Sequence, residues 1–223
     1  MGKISPSMMC ADFMNLGRVI EIFEKTGVDY LHIDIMDGHY VPNLTFGVDF
    51  CKALYENTSI PLDIHLMVEK PLFFAEIFSR FKGSIISFHP EVDYHPIRTI
   101  EIIKNSGCRA GIAIDPALPV SNFVHLFPQL DMVCIMTVNP GYSGQKLLPF
   151  CIDKIKETAG IVKDKRFNLE IEVDGNVSWK NLPVMMDAGA DIFVAGTSSI
   201  FADGQDLEEA IKRFKRIIGG TDG

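Results

Sequence analysis

The stretch Tyr30–Gly38 reads Tyr-Leu-His-Ile-Asp-Ile-Met-Asp-Gly, an apolar strand pattern that carries polar side chains and ends at a glycine. Alternate residues of a strand share a face, so His32, Asp34 and Met36 point one way and the apolar residues between them point the other. A histidine and an aspartate in such surroundings are costly to bury unless they are paired. A core histidine bonded to a nearby aspartate and a functional site both fit this stretch.

Short apolar runs recur along the chain, and each is followed by a segment with helical spacing of its apolar residues. In the first such segment Leu16, Val19, Ile20 and Phe23 form one helical stripe. The predicted strands are Ile4–Met8, Tyr30–Met36, Leu62–Met67, Ser84–Phe88, Ala110–Ile114, Met132–Val138, Leu169–Val173 and Ile192–Ala195. The predicted helices are Asp12–Lys25, Gly47–Glu56, Leu72–Phe81, Pro96–Asn105, Val120–Phe127, Pro149–Lys163, Asn181–Asp187 and Asp206–Ile218.

Eight strand–helix units in 223 residues predict an α/β fold, a (β/α)8 TIM barrel. The alternative is an open doubly wound sheet, which usually has fewer strands and a glycine-rich nucleotide loop after the first of them. No such loop follows Ile4–Met8. We expect a single catalytic domain over residues 1–218 and a flexible tail over residues 219–223. Gly27, Gly107 and Gly189 lie between helices and strands, where left-handed caps are predicted.

Composition excludes several classes of protein. A formal net charge of −8 argues against non-specific nucleic-acid binding. The five cysteines are an odd number without close pairs, which favours reduced thiols over disulfides or a thiolate zinc site. We see no signal peptide and no apolar run long enough to span a membrane, so we expect a cytoplasmic protein without a membrane partner.

In a barrel of this kind, function gathers at the carboxyl ends of the strands. Those ends carry His32 and Asp34 on the second predicted strand, His65 on the third and Asp174 on the seventh. Two imidazoles and two carboxylates suit one divalent metal ion, whether zinc, iron, manganese or cobalt. For each residue alone, an ordinary buried hydrogen bond is the alternative explanation.

Asp34 and Asp174 are the candidate catalytic residues. A metal ion polarises carbonyl and hydroxyl oxygens, and two carboxylates on opposite faces of a carbon can remove a proton and return one. Asp63 and Glu172 share the parity of the ligands but lie deeper, either supporting them or serving structure alone. Side chains that we expect to line the site, or else to pack the core, are Met36, Met67 and Met136.

Three glycine-containing loops follow the sixth, seventh and eighth predicted strands. Glycine lets main-chain N–H groups approach an anion, and barrels frequently bind phosphate between the last two strands. The candidate phosphate-binding residues are those of the loops, Gly141, Tyr142, Ser143, Gly144, Gly175, Asn176, Gly196, Thr197 and Ser198.

The sequence resembles the ribulose-phosphate 3-epimerase family along essentially its whole length. The motifs that carry the resemblance are Ile4–Ser7 with Asp12-Phe13, His32–Gly38, His65–Val68, Pro140–Gln145, Glu172–Gly175 and Ala195–Thr197. The resemblance implies that His32, Asp34, His65 and Asp174 bind the metal and that the two aspartates transfer protons. It also implies that Ser7 and His65 contact the substrate and that the glycine loops meet its phosphate.

Several positions depart from what is typical of ribulose-5-phosphate enzymes. These are Met8–Cys10, Thr137, Asn176 and Thr197. The runs Ser5–Cys10, Met136–Val138 and Gly196–Ser198 look more like the D-allulose-6-phosphate 3-epimerase branch, whereas Asn139 and Asn176 do not decide between the two. We therefore expect conversion of D-allulose 6-phosphate to D-fructose 6-phosphate through an enediolate, with conversion of D-ribulose 5-phosphate to D-xylulose 5-phosphate as the alternative.

Two further alternatives stay open: a non-catalytic barrel that binds sugar phosphates, and a metal-dependent hydrolase. The expected partner is a small phosphorylated ketose. We also expect a homo-oligomer, with apolar surface offered by Phe46, Phe50, Phe73, Phe74 and Phe78, although such aromatic residues more often pack helices onto the barrel.

Overall fold

The computed structural model describes residues 2–219 and contains eight parallel strands in one sheet. The predicted tail, residues 219–223, lies outside the described residues except for Gly219. The strands are β1 (Lys3–Pro6), β2 (Leu31–Met36), β3 (Leu62–Met67), β4 (Ile85–Phe88), β5 (Arg109–Ile114), β6 (Met132–Met136), β7 (Glu170–Asp174) and β8 (Ile192–Ala195). From β2 to β8 each strand pairs with the next in the chain, and β8 pairs with β1. A parallel bridge from Ser7, the residue after β1, to His32 of β2 joins the remaining two strands. The ring is thereby closed as a (β/α)8 barrel, as predicted.

In the described part of the chain, seven α-helices surround the barrel: α1 (Leu16–Thr26), α2 (Val48–Asn57), α3 (Pro71–Phe78), α4 (Pro96–Asn105), α5 (Cys151–Lys165), α6 (Asn181–Asp187) and α7 (Leu207–Ile218). Local chemistry sets their ends. Proline occupies the first position of α3 and α4, where its missing N–H costs nothing. Gly27, which ends α1 with φ 66°, adopts the predicted left-handed conformation, as do Gly107 and Gly189.

The predicted helix Val120–Phe127 is wrong. Between β5 and β6 the chain forms two 3₁₀ segments, Val120–Asn122 and Val124–Gln129. Phe123 separates the two segments with φ −120° and ψ −2°, so they do not join into one helix. Pro128 follows the predicted segment and, without an N–H to donate, prevents an α-helix from continuing beyond it. The apolar spacing was nevertheless informative, because Val120, Leu126 and Phe127 are buried.

The core has two parts. Outward-facing strand residues such as Ile33, Ile64 and Val133 join helix residues such as Phe23 in a layer between the sheet and the helices. A smaller apolar cluster, which includes Ile85, Met132 and Ile192, fills the inside of the barrel. The polar residues of the predicted site complete that interior towards the carboxyl ends of the strands.

The aromatic residues that we considered for an oligomer contact differ in exposure. Phe78 is buried in the core, whereas Phe73 is exposed, and Phe46 stacks on Phe50 with ring centroids 3.9 Å apart. The oligomer stays a prediction. Within residues 2–219, none of the helices combines the length and the apolar character needed to cross a bilayer.

Candidate metal centre and active site

Strand register brings the polar residues together. In the pairing of β2 with β3, His32 lies opposite Asp63 and Asp34 lies opposite His65. Asp174 is the last residue of β7, where it pairs with Met136 of β6. Because alternate residues of each strand face the barrel interior, these side chains converge inside its carboxyl-terminal mouth.

One ligand atom from each of His32, Asp34, His65 and Asp174 lies within 4.8 Å of the others. His32 Nε2 is 3.2 Å from Asp34 Oδ1 and 3.9 Å from Asp174 Oδ2. His65 Nδ1 is 3.4 and 3.8 Å from the same two oxygens. Both imidazoles are fully buried, whereas the carboxylates of Asp34 and Asp174 retain 8% and 18% exposure. The histidines therefore form the floor of the site and the carboxylates face its opening.

Beneath the floor, His32 is held by a second carboxylate. His32 Nδ1 lies 2.7 Å from Asp63 Oδ2, which also accepts a hydrogen bond of 2.9 Å from Ser5 Oγ. A carboxylate only accepts, so His32 Nδ1 carries a proton towards Asp63, while its Nε2 faces Asp34 and Asp174. Burial would lower the pKa of His32, but Asp63 and Asp34 raise it well above its ordinary value, so a cation at Nε2 would have to displace a proton. The predicted supporting role of Asp63 agrees with this contact.

Glu172 is completely buried next to Asp63, and neither of its carboxylate oxygens has a hydrogen-bond partner within the described residues. Burial, with the nearby charge of Asp63, raises the pKa of Glu172 well above its ordinary value. One ligand atom each of His32, Asp63 and Glu172 also lie within 4.8 Å of one another. The acidic layer thus continues one step deeper than the four predicted ligands.

The two candidate catalytic carboxylates have different surroundings. Burial would raise the pKa of Asp34, but the neighbouring His32 and His65 hold it well below its usual range. Burial raises the pKa of Asp174, and there the opposing influence of His32 is weaker. Ser7 Oγ also approaches Asp34 Oδ2 at 3.5 Å. The two carboxylates are therefore chemically distinct although they share one cluster.

The donor set fits a divalent cation. His65 Nδ1 is buried and has no hydrogen-bond partner among residues 2–219, although it points towards two carboxylates. Two carboxylates beside two imidazole nitrogens also concentrate negative charge that is costly to bury without a compensating cation. Neutral imidazole nitrogen and carboxylate oxygen suit zinc, iron, manganese or cobalt. The residues therefore favour no single one of these metals.

A cavity opens above the floor, and most of the predicted site residues line it. Asp34 and Asp174 lie at its base, next to the methionine side chains. The predicted residues on its wall are Ser7, Asp34, Met36, Met67, Met136, Gly141, Tyr142, Ser143, Gly144, Asp174, Gly175, Asn176, Gly196, Thr197 and Ser198. His32 and His65 lie behind this wall, with no exposed surface, so the structure does not bring His65 to the position of a substrate contact.

Glycine is required where the wall comes closest to the neighbouring strand. Gly175 has φ 113°, and a Cβ atom placed there would lie 2.6 Å from Val138 Cγ2 and 2.9 Å from Thr137 Oγ1. Gly141 has φ 115°, and its Cβ would lie 3.1 Å from Val41 Cβ. Side chains at these two positions would push apart the loops that shape the cavity.

Polar contacts tie the loops of the rim to one another. The Tyr142 hydroxyl donates to the Pro42 carbonyl at 2.6 Å, and Asn43 Nδ2 donates to the Gly141 carbonyl at 2.9 Å. Asn176, with φ 47°, donates from its amide to Ser198 Oγ at 3.2 Å. The loops after β2, β6, β7 and β8 thus form a connected rim. The described wall residues include no lysine or arginine, so an anion there must be held by main-chain N–H, hydroxyl and amide groups.

Sequence reasoning missed a group of residues next to His65. His89 follows directly after β4, is fully buried, and places its Nε2 3.0 Å from His65 Nε2. His89 Nδ1 lies 3.2 Å from Glu91 Oε1, to which the Tyr40 hydroxyl donates at 2.8 Å. The signal that could have found His89 is its position directly after β4, which is the position that Ser7 has after β1.

The position of Thr137 removes one reason for expecting a hexulose phosphate. Its hydroxyl donates to the main-chain carbonyls of Asp174 (3.1 Å) and Gly175, behind the cavity wall. Thr137 is fully buried, and a serine would make the same bonds. Met8 is also buried in the core, so of the departures from the ribulose-phosphate pattern only Met9, Cys10, Asn176 and Thr197 reach the cavity.

Comparison with known proteins gives consistent results. A family model described as "Ribulose-phosphate 3 epimerase family" matches residues 3–201. The ribulose-phosphate 3-epimerase of Bacillus subtilis is 42% identical over 214 residues, which cover 96% of this chain and 98% of that protein. The ribulose-phosphate 3-epimerase of Escherichia coli K12 is 40% identical over 213 residues, covering 95% and 94%. These matches do not support the expected preference for allulose 6-phosphate and favour the ribulose-phosphate alternative.

Solved structures confirm the fold. The 3-hexulose-6-phosphate synthase of Salmonella typhimurium superposes with a TM-score of 0.68 at 16% identity, covering 98% of this chain and 99% of that one. A mutant tryptophan synthase alpha-subunit of Pyrococcus furiosus gives 0.69 at 12% identity, covering 98% of both chains. At these identities the likeness concerns the barrel architecture alone.

Proposed function

The chain belongs to the ribulose-phosphate 3-epimerase family, a family of carbohydrate-phosphate epimerases, and we propose from this that it interconverts D-ribulose 5-phosphate and D-xylulose 5-phosphate. The observation that carries the proposal is the convergence of His32, Asp34, His65 and Asp174 within 4.8 Å at the base of a glycine-walled cavity. Epimerisation at a carbon next to a carbonyl needs two proton-transfer groups and stabilisation of the charge that develops between the two transfers.

Asp34 and Asp174 act as the acid–base pair in this proposal. One carboxylate, ionised, takes the proton from C3. The C3–H electron pair forms the C2–C3 double bond of an enediolate while the π pair of the C2 carbonyl moves onto its oxygen. The other carboxyl, protonated at the start, gives its proton to the opposite face of C3, the carbonyl re-forms, and the configuration inverts. Both side chains line the cavity, and their different environments allow one to be ionised while the other is protonated.

A divalent cation held by His32, Asp34, His65 and Asp174 would stabilise negative charge on the oxygens of the substrate. Both imidazoles are buried and the two carboxylates are partly exposed, so the side of the cluster that faces the cavity is accessible to the substrate. Met36, Met67 and Met136 surround the reacting carbons with apolar, polarisable atoms and limit access of water.

The phosphate end of the substrate lies among the loops after β6, β7 and β8 in this proposal. Gly175 allows close approach of its main chain, and Asn176 and Ser198 fix each other by a hydrogen bond of 3.2 Å. The Gly196 carbonyl accepts from Ser199 N at 3.1 Å, so Thr197 and Ser198 lie in a tight turn on the cavity wall, and in this proposal their main-chain N–H groups meet the phosphate. Neutral donors of this kind suit a phosphate bound for one turnover and then released.

One experiment tests both the reaction and the substrate. Purified protein, stripped with chelator and reloaded with one metal at a time, is assayed on D-ribulose 5-phosphate and D-allulose 6-phosphate in deuterated solvent. We expect metal-dependent epimerisation with deuterium incorporated at C3 and a higher kcat/KM for the pentulose phosphate. A higher kcat/KM for the hexulose phosphate would overturn the substrate assignment. Phosphate release without C3 exchange, or binding without turnover, would overturn the proposed reaction.

A further inference from the structure

His65 is the inner end of a hydrogen-bonded chain that runs outward to the rim. The chain continues through His89 to Glu91 and Tyr40, with successive separations of 3.0, 3.2 and 2.8 Å. The imidazoles of His65 and His89 are fully buried, whereas the Glu91 side chain is 21% exposed. None of the three outer residues lines the cavity. His89 and Glu91 reach the site through His65, whereas Tyr40 also packs against Met36 and Met67 of the cavity wall.

The local sequence fixes the position of this hydrogen-bonded chain of side chains. Pro90 restricts the preceding residue to extended backbone, and His89 accordingly has φ −84° and ψ 109°. A single 3₁₀ turn over Pro90–Val92 then places Glu91 beside the His89 ring. Tyr40 reaches across from the loop after β2 and packs its ring on His89, with centroids 4.6 Å apart.

The direction of the hydrogen bonds follows from the outer end. A carboxylate at Glu91 accepts from Tyr40 and can only accept from His89, so the His89 proton lies on Nδ1. The His89 Nε2 lone pair must then accept from His65, which carries its proton on Nε2. His65 Nδ1 is left unprotonated. This atom has no hydrogen-bond partner among the residues that the structure describes, and it lies 3.4 Å from Asp34 Oδ1.

We propose that His89, oriented by Glu91 and Tyr40, is a positioning residue that holds His65 in the tautomer and ring orientation required for cation binding. The inference rests on the proposed function, because it assigns His65 Nδ1 to the proposed metal centre. It also explains why the two histidines present opposite ring nitrogens. Asp63 holds His32 by Nδ1 from below, whereas His89 holds His65 by Nε2 from the side.

The tautomer can be measured directly in metal-free protein. Nitrogen-15 NMR of histidine-labelled protein, in chelator, distinguishes protonated from unprotonated ring nitrogens. We expect His65 to carry its proton on Nε2 in the unmutated protein and to become a mixture of tautomers in His89→Leu, which removes the acceptor. His89→Gln retains an acceptor and should restore the Nε2–H form. A His65 proton on Nδ1 in the unmutated protein would overturn the inference.

Cation affinity gives a second readout, measured as Zn²⁺ binding in competition with a chromophoric chelator. We expect His89→Leu to weaken binding by about 10- to 100-fold, with His89→Gln within about threefold of the unmutated protein. Glu91→Ala keeps the buried core intact and should weaken binding by about tenfold. Glu69→Ala removes an exposed carboxylate that is not part of the hydrogen-bonded chain, and it serves as the matched control. Its affinity for Zn²⁺ should equal that of the unmutated protein.

The outcomes separate the inference from the proposed function. Absence of Zn²⁺ binding by the unmutated protein would overturn the metal centre and, with it, this inference. Zn²⁺ binding of equal strength by the unmutated protein, His89→Leu and Glu91→Ala would overturn the inference alone. Urea unfolding in chelator checks that each variant is folded. If His89→Leu is not folded, the Zn²⁺ affinity of Glu91→Ala decides whether the inference holds.

Discussion

The two ends of the barrel differ in how their charged side chains are paired and exposed. At the amino-terminal ends of the strands, Glu170 pairs with Lys3 and Arg109 at 2.6 Å each, and Arg109 donates to the Tyr30 hydroxyl at 2.9 Å. All of these charged side chains are partly exposed, so water assists the pairing. At the carboxyl-terminal end, buried imidazoles and carboxylates crowd together, and His65 Nδ1 and the Glu172 oxygens have no partner within residues 2–219.

The difference separates stability from function. Charges at the base satisfy one another, and such exposed pairs contribute at most about 1 kcal/mol each. Polar atoms at the mouth are held by the protein on one side and left open on the other, an arrangement that costs free energy unless a ligand completes it. Substitutions at either end can therefore show whether the two ends differ in this way.

The largest effect is expected at the mouth, from loss of an acid–base group. Asp174→Asn and Asp34→Asn should each lower kcat for epimerisation by about 10³-fold, because each removes a proton-transfer group and a metal ligand. The double variant should lose little more than either single variant, since the two carboxylates act as a unit. Steady-state kinetics and C3 deuterium exchange, with metal content measured in parallel, provide the test. Near-normal kcat in Asp174→Asn at full metal content would contradict the assignment.

The next effect tests the buried support of the mouth. Asp63→Ala leaves His32 Nδ1–H and the Ser5 hydroxyl without their acceptor inside the barrel, so we expect a loss of about 3 kcal/mol in unfolding free energy. Urea unfolding of the metal-free protein measures this loss. Asp63→Asn retains an acceptor oxygen and should lose much less. Equal losses in the two variants would mean that the acceptor oxygen is not what stabilises this layer.

A smaller effect is expected in the cavity wall. Gly175→Ala places a methyl group 2.6 Å from Val138 Cγ2 on a backbone with φ 113°. The strain should cost about 1–3 kcal/mol in unfolding free energy and raise KM, because the phosphate-facing main chain must move. Gly160→Ala is the matched control, since no atom lies within 4 Å of its added methyl group and its backbone is helical. An unchanged KM in Gly175→Ala would exclude this loop from phosphate binding.

Sequence reasoning recovered the strands and most of the cavity wall because both depend on short-range patterns. Strand alternation in Tyr30–Gly38 indicated which side chains face inward, and the barrel rule then assigned them to one end. The geometry of the four predicted ligands follows from register, which places Asp34 opposite His65. The sequence pattern could not predict which loops contact each other. The contact of Tyr40 with Glu91 joins residues 51 apart, and only the closed barrel brings them together.

Substrate choice was harder to predict for a different physical reason. Thr137 differs from the ribulose-phosphate pattern, yet its side chain bonds to main-chain carbonyls behind the wall and does not reach the cavity. The helix predicted at Val120–Phe127 failed similarly: the spacing of buried residues was correct, but the backbone at Phe123 breaks the segment into two 3₁₀ turns. In both cases the residue type was visible in the sequence, and its consequence depended on where its neighbours lie.

The smallest effect is expected at the base. Glu170→Gln removes the shared partner of Lys3 and Arg109 and should lower unfolding free energy by about 1 kcal/mol at pH 7, with kcat and KM unchanged. Burial would raise the pKa of Glu170, but its hydrogen bonds from Lys3 and Arg109 lower it below the ordinary value. A depressed folded-state pKa stabilises the protein above the unfolded-state value of about 4.3 and loses that contribution as pH falls through the folded-state value. The difference between Glu170→Gln and the unmutated protein, measured by urea unfolding, should therefore shrink below pH 4. A change in kcat would instead couple the base to the mouth and break the separation between the two ends.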